Sequence, residues 1–179
     1  MEAAMSKSWR IIPLILLALV VAGLVWRLAT PADTSVTSKL EGQPVPSFAL
    51  APAIAGKQGL ATADLAGGGP RLVNIFASWC VPCITEAGVL AQLKARGATV
   101  DGIAIRDRPE DVARFLARHG DPYDRIGSDP RSQVQIALGS SGVPESFIVD
   151  DRGIIRYQHI GPIDAKEIPL ILGELEQSR

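Results

Sequence analysis

Metal ligands, cysteine and excess charge of either sign are all scarce in this chain, and each scarcity closes a possibility. The 179 residues hold two histidines and two cysteines, and 18 basic against 19 acidic side chains leave a formal net charge of −1. With no basic stripe to meet phosphates, nucleic-acid binding is not expected. "GGGP" (Gly67 to Pro70) lacks the Lys-Ser/Thr that would make it a phosphate loop, and reads as a turn. A structural zinc site needs four ligands, and beyond the cysteines only His119 and His159, on different elements, remain to supply them. No internal repeat is visible.

Charge is absent altogether between Arg10 and Arg27. The run "IIPLILLALVVAGLVW" (Ile11 to Trp26), continued to Ala29, gives 19 residues, close to the ~20 that a membrane-spanning helix needs. Lys7 and Arg10 precede it, so the positive-inside tendency puts residues 1–10 in the cytoplasm and the rest of the chain outside. A cleaved signal peptide is the rival reading, but its best candidate site, "RLATPAD", is interrupted by Pro31. Residues 11–29 are therefore expected to be an uncleaved transmembrane anchor and 30–39 a polar tether. Residues 40–179 are long enough for one domain with a single core.

What the sequence does contain is "FASWCVPC" (Phe76 to Cys83), which holds both cysteines. A domain outside the cytoplasm meets conditions in which disulfides persist. A disulfide that staples a fold gains from closing a long loop, and Cys80 and Cys83 would close almost none. The pair is expected to be reactive.

The surrounding pattern places it. "RLVNIFA" (Arg71 to Ala77) has the length and apolarity of a buried strand. Beyond Cys80 the period turns helical, with Ile84, Ala87, Leu90 and Ala91 on one face and Gly97 as a stop. "TVDGIAI" (Thr99 to Ile105) is a second strand, which completes a βαβ unit. "DRPE" (Asp107 to Glu110) reads as a capping box opening a helix that continues through Val112, Phe115, Leu116 and His119 at i, i+3, i+4 and i+7, with His119 and His159 structural or exposed. Asp121 to Pro130 is expected to be loop, with a short helix near Gln133 to Leu138. "ESFIVD" and "IIRYQHI" flank "DRG" as an antiparallel hairpin. Asp164 and Glu167 form a second capping box before a last helix carrying Ile168, Ile171, Leu172 and Leu175, whose start Pro169 delays or kinks. "VPSFAL" and the stretch to Gly69 could add an N-terminal hairpin. This is the element order of an α/β, thioredoxin-like fold, a central mixed sheet flanked by helices, behind an N-terminal transmembrane helix.

At a strand-to-helix junction, Cys80 would sit at the helix N-terminus, where unpaired N–H groups and the helix dipole stabilise a thiolate. Pro82 fits the first turn without loss of a hydrogen bond. Cys80 can then attack a partner's disulfide, and Cys83, one turn in, can resolve the mixed disulfide and release the partner reduced.

"NIFASWCVPC" resembles the active-site segment of membrane-anchored periplasmic thioredoxins. "GVPESF" (Gly142 to Phe147) narrows the resemblance to the CcmG/DsbE family of cytochrome c biogenesis thiol:disulfide interchange proteins. "GQPVPSFAL", "GDPYDRIGSD", "GVPESFIVDDRGIIRYQHIG" and the terminal "EIPL" extend it over essentially the whole chain. The resemblance implies that Cys80 is the nucleophile and Cys83 the buried resolving thiol. It implies that Val143 and Pro144 form a cis-proline loop facing the redox-active disulfide, whose backbone pairs with an extended substrate strand. Trp79 would be both a packing residue and a contact surface for substrate. Glu86, three residues after Cys83, matches a family glutamate that exchanges protons near the resolving thiol. Glu145, directly after the proline, would put negative charge near the sulfurs, opposing the helix dipole and favouring a reductant over a strong oxidant. Asn74 stands where thioredoxins proper carry a buried acid, so another group must move the proton. Ser140 and Ser141 depart from the aromatic residue that many relatives have there, which bears on the shape of the groove.

The function so implied is reduction, on the periplasmic side of the bacterial inner membrane, of the disulfide in an apocytochrome c Cys-x-x-Cys-His, directly or through a CcmH-type maturation partner. The family's electron source is a CcdA/DsbD-type membrane carrier. The disulfide itself does the chemistry, and no bound cofactor or metal is expected. Alternatives are a TlpA/ResA-like reductase with other substrates, whose members usually lack the glutamate at position 145, and a copper-binding thioredoxin-like chaperone, which wants one more residue between the cysteines. A DsbA-like oxidase fits poorly with two acids near the sulfurs, and no Thr-x-x-Cys supports a peroxidase.

Overall fold

The computed structural model describes residues 7–29 and 40–179, with the side chains of 7–11, 25 and 27–29 outside that description. The expectations for residues 1–6 and for the tether at 30–39 lie outside the described residues. The chain divides into two units. The first contains one helix, α1 (Lys7–Ala29). Among the described residues no helix is long and apolar enough to cross a membrane. The expected span of residues 11–29 runs at both ends into positions whose side chains are not described.

The second unit begins with a two-stranded antiparallel hairpin, β1 (Ala49–Leu50) and β2 (Leu60–Ala61), as the sequence suggested. There follow β3 (Arg71–Phe76), α2 (Val81–Ala95), β4 (Thr99–Ile105), α3 (Pro109–His119), β5 (Ile126–Asp129), α4 (Gln133–Ala137), β6 (Glu145–Val149), β7 (Ile155–Ile160) and α5 (Ile168–Gln177). Five of the strands form one mixed sheet in the order β5-β4-β3-β6-β7. The β3-β4 and β4-β5 pairs are parallel, while β6 runs antiparallel to β3 and to β7. This is a thioredoxin-like arrangement. β3 lies in the centre, which is why five of its six residues are buried and its run is apolar but for Arg71 and Asn74.

Two successive parallel crossovers in one direction put α2 and α3 on the same side of the sheet. That side carries Asn74 and Phe76, which alternate with Val73 and Ile75 on the other. Phe76 stacks on Tyr123 with ring centroids 4.7 Å apart and meets Phe115 of α3 at 5.7 Å. Gly102, opposite Asn74 on β4, makes room for this stack. A Cβ there would lie 2.9 Å from Phe76 and 3.0 Å from Tyr123.

Three local expectations change. The segment 121–130 contains strand β5, because the four residues Ile126–Asp129 pair with β4 although Gly127 and Ser128 interrupt the apolar pattern. Asp107 does not cap α3: the N-cap is Arg108, without a side-chain cap bond, and the Asp107 carboxylate reaches elsewhere. The second capping box is present at Asp164 and Glu167, but it opens a 3-10 turn (Ala165–Glu167), and Pro169 delays the α-helix to Ile168.

Candidate active site

β3 ends at Phe76, and four residues later Cys80 caps α2. The Cys80 Sγ accepts a hydrogen bond from the Cys83 N–H at 3.2 Å, the bond a helix N-cap accepts. Pro82 occupies the first turn, where its missing N–H costs nothing. Cys80 and Cys83 form a disulfide. Only 3 % of Cys80 is exposed, whereas the flanking Trp79 and Val81 are 53 % and 71 % exposed. Exposed apolar side chains therefore flank a nearly buried Cys80.

The loop before Cys80 is tied to the carboxyl end of β4. Asp107 accepts hydrogen bonds from the Ser78 N–H at 2.6 Å and the Ser78 hydroxyl at 2.8 Å. That explains its loss as a helix cap: the carboxylate is spent on the cysteine loop. The Trp79 indole N–H donates to the Arg106 carbonyl at 3.3 Å, and the Arg106 guanidinium lies 5.7 Å from the ring centroid, within cation–π range.

Under the disulfide-bearing helix lies a buried polar cluster. Glu86 is one turn beyond Cys83 on the same helical face and only 1 % exposed. Its carboxylate accepts from the Ile163 N–H at 3.0 Å and from the Asn74 amide at 3.1 Å. Burial pushes its pKa up to about 7 against the lowering effect of those two bonds. Asn74 is held in one orientation. The Tyr123 hydroxyl donates to its Oδ1 at 2.8 Å, and its Nδ2 donates to Ser146 Oγ at 3.0 Å as well as to Glu86. The Tyr123 hydroxyl itself is pushed well above the usual range, by burial first and by the Glu86 charge second.

The second strand at this end of the sheet is β6. Its residue Glu145 pairs with Ile75 of β3, so Pro144 lies beside the chain leading out of β3 toward Cys80. The Val143–Pro144 bond is cis. Glu145 alternates with Ser146 and so faces the side of the sheet opposite Glu86. It is fully buried. Its carboxylate accepts from the Ser140 hydroxyl at 2.8 Å, the Ser141 N–H at 2.8 Å, the Ser141 hydroxyl at 3.3 Å, the Gly142 N–H at 3.4 Å and the Gln158 amide.

The Redoxin family model matches residues 40–171. DsbE, a thiol:disulfide interchange protein of Escherichia coli (strain K12), is 35 % identical over 166 residues, covering 90 % of each chain. The chain belongs to the DsbE/HelX family. HelX, the thiol:disulfide interchange protein of Rhodobacter capsulatus, is 33 % identical over 174 residues, with 94 % of this chain and 98 % of the other covered. The crystal structure of a thioredoxin-family thiol:disulfide interchange protein from Chlorobium tepidum aligns with a TM-score of 0.60 at 27 % identity, over 75 % of this chain and 94 % of that one. This DsbE/HelX member is a protein-disulfide oxidoreductase, and Cys80 and Cys83 are the two cysteines of its chain.

Of the residues singled out in the sequence, Cys80, Cys83 and Glu86 lie on α2, Trp79 precedes it, and Val143, Pro144 and Glu145 enter the same end of the sheet on β6. Sequence reasoning missed Ser78, Arg106, Asp107, Tyr123, Ser146 and Gln158, which hold the named residues in place. Asn74 carried a signal, as an amide where an acid was expected, and Ser140 and Ser141 carried one as a departure from the family pattern. The others act across sequence separations of 13 to 72 residues, which no local pattern records.

Proposed function

We propose that this DsbE/HelX protein is a dithiol reductant of cytochrome c maturation, anchored in the inner membrane by α1 with its catalytic domain on the periplasmic side. The observation that carries the reading is Glu86, a buried carboxylate one turn beyond Cys83 whose pKa lies at about 7. A group poised there can take and return a thiol proton at neutral pH.

In the working direction the reduced protein reacts first through Cys80. Its thiolate, at the N-terminus of α2, attacks one sulfur of the partner's disulfide. A mixed disulfide forms, and the partner's other sulfur leaves as a thiolate and takes a proton. Glu86 accepts the Cys83 proton, and the Cys83 thiolate attacks the Cys80 sulfur. The Cys80–partner bond breaks and the partner's second sulfur leaves to be protonated. Two electrons have passed to the partner, which is now a dithiol, and the protein holds the Cys80–Cys83 disulfide. A CcdA/DsbD-type membrane carrier would return two electrons and restore the dithiol.

The substrate would be the oxidised Cys-x-x-Cys-His of an apocytochrome c, or a CcmH-type protein that relays its electrons. Trp79 would supply apolar surface, and the Val143–Pro144 edge would pair with an extended strand. Anchoring is supported by the uncharged run from Ile11 to Trp26 and by Lys7 and Arg10 ahead of it.

Cys83→Ala tests the proposal in cells. It keeps the attacking thiol and removes the one that releases the partner, so mixed disulfides at Cys80 accumulate for identification by mass spectrometry. Adducts dominated by apocytochromes c or their maturation proteins are expected. A broad set of unrelated secreted proteins would instead make it a general reductase of the TlpA/ResA kind.

A further inference from the structure

We propose that Glu145 is a positioning residue that clamps the loop 140–142 and so presets Val143–Pro144 for an extended, cysteine-bearing substrate strand. It acts on substrate affinity rather than on the chemistry of the sulfurs. This rests on the reading that the Val143–Pro144 edge receives substrate.

Four of the five donors to the Glu145 carboxylate come from three consecutive residues, Ser140, Ser141 and Gly142. They converge on a single oxygen, Oε2, while the Gln158 amide of β7 holds Oε1. The single hydroxyl proton of Ser140 has two acceptors in reach, Glu145 at 2.8 Å and the Gly142 carbonyl at 3.0 Å. The charged and nearer oxygen is the stronger of the two. From the other side, the Gln135 amide of α4 donates to the Gly142 carbonyl at 3.3 Å. A three-residue loop is thereby fixed against both β6 and α4.

The next residue is Val143. It is half-buried, and among the described residues its backbone N–H and C=O make no hydrogen bond. The Pro144 carbonyl is already used, by the Gly161 N–H at 3.1 Å. Val143 is therefore the one residue of this segment with a free donor and a free acceptor, the pair that an added strand needs. A loop already ordered loses less freedom when substrate binds. The clamp also gives Ser140 and Ser141 a use: in place of an aromatic groove wall, they supply two hydroxyls and one N–H to Glu145. The carboxylate's bonds all run to the loop and to β7, on the sheet face away from Glu86.

The test compares the full-length reduced wild type with Ser140→Ala/Ser141→Ala and with Glu145→Gln. The probe is an oxidised synthetic Cys-x-x-Cys-His peptide, used also in a form N-methylated beside its first cysteine, which removes a backbone donor. KM and kcat, with excess reduced glutathione returning the two electrons of each turnover, and the equilibrium constant with glutathione are measured for each. The serine variant is expected to raise KM about fivefold to tenfold, with kcat and the glutathione constant within about twofold. Glu145→Gln should do the same or more. On the wild type the N-methylated peptide should bind about tenfold more weakly, and the clamp variants should narrow that gap. An unchanged KM with a shifted glutathione constant would overturn the proposal and return Glu145 to a role as charge near the sulfurs. If Glu145→Gln fails to fold, the serine variant decides alone, and an unchanged KM there overturns the clamp. Equal binding of the two peptides to the wild type would show that the edge reading itself had failed, and the clamp with it. A difference between the peptides combined with normal KM in both variants would overturn the clamp only.

Discussion

Two glutamates are buried on opposite faces of the sheet, Glu145 on β6 and Glu86 on α2 against Asn74 of β3, and their surroundings differ. Glu86 projects from α2 toward Asn74 and Ile163 and accepts two hydrogen bonds. Glu145 faces the loop before the cis-proline and accepts five. A carboxylate taken out of water needs its lost hydrogen bonds replaced. On the Glu86 side the replacement is incomplete, and burial outweighs the two bonds to push the group to about 7. On the Glu145 side the same number of oxygens organises a loop. The origin of the donors separates the two: one side-chain amide and one distant backbone N–H hold Glu86, whereas a whole loop is gathered on Glu145.

The largest effect expected from breaking this contrast comes from Glu86→Gln. It keeps the shape and removes the titration, so release of the partner by Cys83 should slow about 10²-fold or more near neutral pH. Single-turnover kinetics on a preformed mixed disulfide would measure it; an unchanged release rate would remove Glu86 from the mechanism.

The same variant changes the pH dependence of stability. A carboxyl whose native pKa is about 7 against 4.5 unfolded binds its proton more tightly in the native state. Between those pH values the native state therefore holds more protons than the unfolded one, and stability falls as pH rises. The cost is fully present above pH 7 and amounts to about 3 kcal/mol at most. Urea unfolding from pH 4.5 to 8 should show this decline in the wild type and in Ser140→Ala/Ser141→Ala, and lose it in Glu86→Gln.

Smaller effects come from what holds Asn74 toward Glu86. Gly102→Ala forces a methyl into the Phe76–Tyr123 stack and should cost about 2 kcal/mol, typical of an overpacked core. Tyr123→Phe removes only the hydroxyl that orients Asn74 and should cost about 1 kcal/mol. Urea denaturation reads both, and a cost for Tyr123→Phe above that for Gly102→Ala would mean that the polar cluster, not the stack, dominates this face.

Much of this was legible along the chain because it is local. The βαβ unit, the position of Cys80 at the start of α2 and of Glu86 one turn past Cys83 follow from hydrophobic period and spacing. The network around Glu86 was not legible, because its donors Asn74 and Ile163 come from 12 residues before it and 77 after it. "DRPE" misled for the same reason: the Asp107 carboxylate had a stronger claim on it from Ser78, 29 residues earlier, than from the helix it precedes. β5 was hidden because pairing with β4, not its own composition, makes it a strand. Ser140 and Ser141 were visible as a departure from the family pattern, but their target carboxylate could be found only in three dimensions.

The most direct test of the account is a titration of Glu86 by carbon-13 NMR of the side-chain carboxyls, with Glu86→Gln assigning the signal. The account predicts a midpoint near pH 7 for this one buried carboxyl. A midpoint at or below pH 5 would mean that its two hydrogen bonds outweigh burial, and Glu86 could not exchange the Cys83 proton as described.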